Sequence, residues 1–373
     1  MTSFKAMTTS TKGITGLLEV TDKDRYLSYL PISHGMERWC GECIPLMTGE
    51  EIFYAESLST FVNDLGRAKP TLFFSVPRLW TKFQAGVFTK LPEKKLDFLL
   101  KIPLINILIK KKILKGLGLD KCRVAGSGSA PIPADLLGWY RRLGLELQEG
   151  YGMTENFNYS HMSRVGNTRV GYVGETYDDC DCRIAADGEI QVKTPGKMMG
   201  YFKNLEATSE TITADGYVRT GDKGEIDEKG RLKITGRTKE IFKTSKGKYI
   251  APAPIENELI SNHLVELAVV SGRGQPQPYA MLQLSDAPKA KADDAAARES
   301  MGAELEAHLA KVNAGLDTHE KISFVAIIKD AWLPENGFLT PTNKVKRTVI
   351  EDNYDSSVGG WYDSKSKVIW YGW

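Results

Sequence analysis

The stretch from residue 122 to residue 155 constrains the fold more than any other part of the chain. An apolar run at 122–125 enters Gly126-Ser127-Gly128-Ser129-Ala130-Pro131. A helix-length segment follows at 133–143, and a second apolar run at 145–148 ends in Glu149-Gly150-Tyr151-Gly152-Met153-Thr154-Glu155. Strand, glycine-rich turn, helix and strand make a β-α-β unit, and such units build a mostly parallel sheet. The alternation extends upstream, with strands expected at 26–30, 51–54 and 71–75 and helices at 57–67 and 77–90, the second opened by Pro77. Ligands on open parallel sheets bind beyond the carboxyl ends of the strands. The loops at 126–131 and 149–155 both fall there.

From residue 170 to 236 the texture changes. Asp187-Gly188, Asp215-Gly216 and Lys229-Gly230 separate short runs at 189–193, 217–220, 224–227 and 231–235. These are hairpin signals and imply an antiparallel β subdomain. Beyond Lys239 a small α+β unit is expected, with helices at 253–262 and 298–313 and strands near 266–271, 279–284 and 322–329. Residues 285–297, rich in Ala, Lys, Asp and Pro, read as a mobile insertion. A length of 373 residues leaves room for two or three such domains.

Composition excludes several classes of function. A net charge of +2 is too small to support nucleic-acid binding. Five cysteines in a chain this long do not make a secreted disulfide scaffold, which points to a reducing, cytoplasmic setting. Trp39-Cys40-Gly41-Glu42-Cys43 has the letters of a redox motif but not its β-α-β context, and Cys180 and Cys182 do not complete a zinc site. Residues 1–12 are polar and hydroxyl-rich, unlike a signal peptide. No run reaches the roughly 18 apolar residues of a spanning helix. The nearest, 98–114, is interrupted by Pro103 and ends among lysines. It reads as a buried helix with a solvated end; the alternative is peripheral contact with an anionic membrane surface.

The loop at 150–155 carries the most chemistry. It can bring backbone amides and the Thr154 hydroxyl to a phosphate while Glu155, a hard oxygen ligand, holds Mg2+. The plain alternative is a strand end with Glu155 capping a helix. Thr220-Gly221-Asp222, Gly236-Arg237-Thr238-Lys239-Glu240 and a Lys/Gly-rich loop at 243–248 follow in order. Together this set resembles the adenylate-forming (AMP-binding) superfamily, and within it the long-chain fatty acyl-CoA ligases, over nearly the whole chain.

That resemblance implies a partial N-terminal AMP-binding domain at 1–237, holding the β subdomain at 170–236, and a mobile C-terminal cap domain at 238–373. The fold class is therefore α/β with α+β. It also implies ATP or AMP, Mg2+ and coenzyme A as cofactors, and a fatty acid converted to acyl-CoA through acyl-AMP. Gly126, Gly128, Ser129 and Ala130 match the adenine-contacting segment. Tyr151 and Gly152 match the adenine stack, Thr154 a phosphate ligand and Glu155 the metal ligand. Asp222 and Arg237 match the ribose and nucleotide contacts, and Lys239 the hinge between half-reactions. Lys243 and Gly247 match the loop turned towards coenzyme A. Lys344, within Leu339-Thr340-Pro341-Thr342-Asn343-Lys344-Val345-Lys346-Arg347, matches the adenylation lysine; Lys346 and Arg347 flank it as other candidates, and a basic helix start is the plain alternative.

His34 and Trp80 match acyl-pocket segments; a satisfied structural histidine and a core tryptophan are the alternatives. Taken singly, Asp222 is an ordinary turn aspartate between two strands, and 243–252 a basic surface hairpin. The family also carries an earlier segment with a Thr/Ser/Gly-rich phosphate loop ending in Pro-Lys-Gly. Thr8 to Gly16 has similar letters without that ending and reads as a loop. The expectation is a missing N-terminal half and impaired turnover by the chain alone. A non-catalytic nucleotide- or acyl-binding remnant, or the C-terminal subunit of a split ligase, is the alternative.

Overall fold

The computed structural model describes residues 1–57, 60–130, 132–340 and 344–373. Leu58 and Ser59 of the expected helix 57–67, Pro131 of the glycine-rich turn, and Pro341, Thr342 and Asn343 ahead of Lys344 lie outside the described residues. The chain divides into two compact units, Met1–Ile234 and Thr235–Trp373.

The first unit is organised on a sheet of strands β1 (Arg25–Ser28), β2 (Glu51–Tyr54), β3 (Leu72–Ser75), β4 (Val124–Ser127), β5 (Leu147–Tyr151), β6 (His161–Met162) and β7 (Glu175–Thr176), in the order β2-β1-β3-β4-β5-β6-β7. β2 through β5 pair in parallel, and β6 and β7 extend the sheet antiparallel. Every residue of β3 and β4 is buried, as a strand covered on both faces requires. Side chains alternate between two cores. Leu27, Phe73, Ala125 and Leu147 face one, under helices Phe61–Ala68, Pro77–Lys90 and Ala134–Leu143. Tyr26, Leu72, Phe74 and Val124 face the other.

Helix Phe4–Leu18 supplies Ile14 and Leu18 to that second core. The expected loop at Thr8 to Gly16 is therefore wrong. Ser3 caps the helix at the Ala6 amide, and the Thr8 and Thr11 hydroxyls donate back to Phe4 O and Met7 O, so the hydroxyls are satisfied inside the helix.

Strands β8 (Asp181–Ile184), β9 (Glu189–Lys193), β10 (Val218–Ile226) and β11 (Leu232–Arg237) form a second sheet in the order β11-β10-β9-β8, with β8–β9 and β9–β10 antiparallel. The two strands expected at 217–220 and 224–227 are one strand. Its register slips between Arg219 and Lys223, where Gly221 takes φ +71°. Asp222 thus sits on a bulge inside β10 and not in a turn between strands.

The segment 98–114 is also corrected. Pro103 splits it into helices Glu93–Leu100 and Ile105–Gly116, and no residue of the second helix is buried. Among the described residues no helix is long and apolar enough to cross a membrane.

The second unit holds a hairpin of β12 (Phe242–Lys243) and β13 (Tyr249–Ile250) and a sheet of β14 (Val265–Ser271), β15 (Tyr279–Leu284), β16 (Val325–Ile328) and β17 (Val368–Tyr371). β14–β15 is antiparallel; β15–β16 and β16–β17 are parallel. Of the helix Arg347–Asp363 the sequence offered only a basic start, and β17 after it escaped the reading. So did the order in 285–297. A short helix Asp286–Lys289 fills part of it, Ala292 is fully buried, and Asp294 caps helix Ala295–Ala314 by accepting from the Ala297 amide.

Candidate active site

The carboxyl ends of β4 and β5 bring together the glycine-rich turn and the 149–155 loop. Close backbone approach explains the glycines. A Cβ on Gly128 would stand 3.3 Å from Gly150 O, and one on Gly152 would lie 2.6 Å from the Asn158 backbone. Ser129 takes φ +67°, which turns the chain at the tip of β4. Beneath this turn, the Trp80 indole donates to Gly126 O at 3.3 Å, and the Tyr140 hydroxyl donates to Trp80 O at 2.7 Å. Trp80 is fully buried against Phe73, Phe83 and Tyr140, so it props the turn from within the core.

After β5 the chain makes a single 3₁₀ turn, Thr154–Asn156, because the Asn156 side chain accepts from the Met153 amide at 2.9 Å and Phe157 and Asn158 adopt left-handed φ. The turn exposes Thr154 and leaves Glu155 half-buried. The Tyr201 hydroxyl donates to Glu155 Oε1 at 2.8 Å, and Met198 N–H donates to Glu155 O at 2.7 Å. Tyr201 was not singled out in the sequence. It lies 46 residues away, and no local spacing announces the contact.

Tyr151, at the end of β5, donates its hydroxyl to Asp222 Oδ2 at 2.7 Å. Burial, and then the Asp222 charge, raise the phenol well above its ordinary pKa, so it remains a donor. The bulge that presents Asp222 is fastened by Glu189, which accepts from the Gly221 amide at 3.1 Å, and by Thr220, which donates to Ile190 O at 2.7 Å.

Behind the loop lies a group of buried polar residues that sequence reasoning did not single out. Ser127 Oγ, Gln148 Oε1, Glu149 Oε1 and His161 Nε2 are buried without hydrogen-bond partners among the described residues. Burial pushes the Glu149 carboxyl up to about 8, against the pull of the Ile132 amide, and pulls His161 down to about 3. Both are neutral near pH 7. A hard-oxygen carboxylate, an exposed hydroxyl, an aromatic face and orphaned polar atoms at a strand end are a donor set suited to a nucleotide phosphate with its magnesium ion.

His34 caps helix Gly35–Arg38, its Nδ1 accepting from the Met36 amide at 3.3 Å. Cys40 and Cys43 are free, and burial pushes both thiols up, the opposite of what a redox-active pair needs.

In the second unit, Arg237 ends β11 and Lys239 lies exposed in the next turn. Lys243 and Gly247 belong to the β12–β13 hairpin, where Gly247 takes φ +77° and its amide donates to Thr244 O. The Thr244 amide in turn donates to Lys248 O at 2.9 Å and closes the hairpin. Lys344 is exposed, and its amide donates to Thr340 Oγ1 at 3.0 Å. Arg347 is engaged otherwise: its guanidinium reaches Glu256 at 2.7 Å and Glu240 at 3.6 Å and donates to Val270 O. Of the three cations in this segment, Arg347 is structural.

A parallel-rich sheet covered on both faces thus carries acidic and aromatic side chains at its strand ends. The chain belongs to the AMP-binding enzyme family: the family's model matches residues 1–202, and that of the AMP-binding enzyme C-terminal domain matches 239–366. It is 31% identical to the long-chain-fatty-acid–CoA ligase FadD15 of Mycobacterium bovis, across 92% of this chain and 63% of that protein. It is 28% identical to long-chain-fatty-acid–CoA ligase 1 of Cavia porcellus, across 93% and 56%. The chain thus spans less than two thirds of the length of these relatives. The A domain of carboxylic acid reductase from Segniliparus rugosus, solved with AMP, has the same fold at 24% identity, with a TM-score of 0.73 over 91% of this chain and 55% of that one.

Proposed function

We propose that this chain carries the nucleotide-binding and cap regions of a long-chain fatty acid–CoA ligase, which turns fatty acid, ATP and coenzyme A into acyl-CoA, AMP and pyrophosphate through acyl-AMP. The observation that carries the reading is the Tyr151–Asp222 pair beside the Glu155 turn, at the strand ends of a sheet whose relatives bear that name. Gly126, Gly128, Ser129 and Ala130 would lie against adenine, with Tyr151 and Gly152 completing its slot. Asp222 would accept from the ribose hydroxyls, and Arg237 would contact the nucleotide. Thr154 would donate to phosphate oxygens. Glu155 would hold a magnesium ion, which when bound neutralises phosphate charge. Lys344 is assigned the charge shared by the attacking carboxylate and the α-phosphate. Lys239 is assigned the hinge, Lys243 and Gly247 coenzyme A, and His34 a wall of the acyl pocket, while Trp80, sealed in the core, supports the turn rather than a pocket wall. A peripheral contact with a membrane surface belongs to the same reading.

The second reading is a nucleotide-binding subunit that works with a separate N-terminal half. ATP–pyrophosphate exchange with palmitate and magnesium, paired with calorimetric AMP binding, tests both. Exchange above background supports the ligase reading for the chain alone. AMP binding without exchange, with exchange restored by the N-terminal segment of a relative, supports the subunit. Neither binding nor exchange would sink the nucleotide site.

A further inference from the structure

Helices Glu93–Leu100 and Ile105–Gly116 have two unlike faces. Inward, Leu96 is fully buried, and Ile109, Ile113 and Leu117 pack on the core beneath the sheet. Outward, the helix pair and the turn that joins it present Phe98, Leu104, Ile107 and Leu108, each at least 62% exposed. Leu104 holds φ +67° at the start of the second helix, a conformation that an apolar residue rarely takes and that sets it at the tip of the pair. Lys101, Lys111 and Lys112 are exposed around this tip, and no Asp or Glu occurs between Lys101 and Leu119.

The spacing is informative. Ile107 and Lys111, and Leu108 and Lys112, are four residues apart, so each lysine stands one helical turn beyond an exposed apolar side chain on the same face. Apolar side chains bordered by lysines, with the adjacent carboxylate, Asp97, paired to Arg142 at 2.8 Å, suit a surface that is apolar beneath and negative above. Lysine stems can lie along the apolar layer while their ammonium groups reach the charge.

We propose that this tip docks the protein on an anionic lipid bilayer, with Leu104, Ile107 and Leu108 entering the boundary between headgroups and acyl chains and Lys101, Lys111 and Lys112 contacting the anionic headgroups. The inference deepens the peripheral contact named above and rests on that reading for its place in acyl activation. Docking itself needs neither ATP nor turnover.

The test is sedimentation of the full chain with sucrose-loaded vesicles, without nucleotide, comparing phosphatidylcholine alone with phosphatidylcholine mixed with phosphatidylglycerol. The expected result is binding to the anionic vesicles and little to the neutral ones. Lys111→Glu with Lys112→Glu should weaken binding by on the order of tenfold or more. Leu104→Asp with Leu108→Asp should abolish it. All four positions are exposed, so circular dichroism and thermal unfolding should match the parent chain, which separates lost docking from lost folding. A Leu108→Trp variant should shift its fluorescence to the blue when anionic vesicles are added. If the parent chain stays in solution with anionic vesicles, or if the Asp pair sediments as it does, the proposal falls and the tip is a surface for a protein. Pyrophosphate exchange is read separately, so the ligase reading can stand while the docking site fails.

Discussion

The Tyr151 hydroxyl and Asp222 Oδ2, 71 residues apart in sequence, lie 2.7 Å apart in the first unit. The family resemblance implies separate roles for them, at adenine and at ribose; the fold joins them in one hydrogen bond. Tyr151→Phe removes that donor and leaves Asp222 less firmly oriented. AMP binding should weaken by about 1 kcal/mol, roughly fivefold. Tyr151→Ala, which also removes the aromatic face, should cost more. Calorimetric titration with AMP measures both, and equal affinity of the Phe variant and the parent would remove the orienting role.

Tyr201 is expected to set the metal dependence through Glu155. With its 2.8 Å donor gone in Tyr201→Phe, the Glu155 carboxylate is free to rotate, and the magnesium concentration at half-maximal ATP binding should rise several-fold. Glu155→Gln should make nucleotide binding almost insensitive to magnesium. Fluorescence titration with a labelled ATP at varied magnesium checks this. A Phe variant with an unchanged magnesium midpoint and a lower melting temperature would mean that Tyr201 only packs.

Arg347 and Lys344 should separate stability from chemistry. Arg347→Ala leaves the largely buried Glu256 beside Val270 without its cation, which should destabilise the second unit by about 3 kcal/mol. Lys344→Ala removes an exposed side chain and should change stability by less than about 0.5 kcal/mol while abolishing acyl-AMP formation in a complete homologue carrying the same change. Urea denaturation reads the first effect and pyrophosphate exchange the second.

Stability should fall as pH rises through the neutral range. Glu149 is raised to about 8 from an ordinary 4.5 by burial, so its contribution is fully present below 4.5 and is lost as pH rises through about 8. Glu50 is raised to about 8 by burial and then by Asp24, and acts in the same direction. His161, lowered to about 3 from 6.5, does the reverse: its contribution is present above 6.5 and lost as pH falls towards 3. Above pH 6.5 only the carboxyls of this group act, and there the slope is unopposed. Glu149→Gln should flatten part of the loss in melting temperature between pH 6.5 and about 8. An unchanged slope would show that Glu149 ionises in the folded protein as it does in the open chain.

Gly152→Ala should disturb the loop from within, since its Cβ would lie 2.6 Å from the Asn158 backbone, which cannot swing aside as a flexible side chain would. A cost of about 2 kcal/mol and weaker AMP binding are expected together. Gly138→Ala, at a helical glycine with nothing within 4 Å, is the control and should be neutral or stabilising.

Local rules carried most of the fold. Hydrophobic period and turn residues give β3, β4 and the helices Pro77–Lys90 and Ala134–Leu143, because each is specified by residues a few positions apart. The same rules misread the N-terminal hydroxyl-rich stretch, where helix hydrogen bonding absorbs the threonines and the sheet buries the apolar face. They split β10 at Gly221 because a glycine inside a strand looks like a turn until the neighbouring strand shows a bulge.

By itself, the sequence determined the family, the parallel sheet and the loops that hold Thr154, Glu155 and the glycine-rich turn, since those depend on contiguous residues with particular backbone and side-chain chemistry. Tertiary structure alone decided the Tyr201–Glu155 and Tyr151–Asp222 contacts, the burial that neutralises Glu149 and His161, and the outward face of Leu104 and Leu108. The reason is physical: partners and burial are set by what distant segments bring against a residue, and no local period or spacing encodes that.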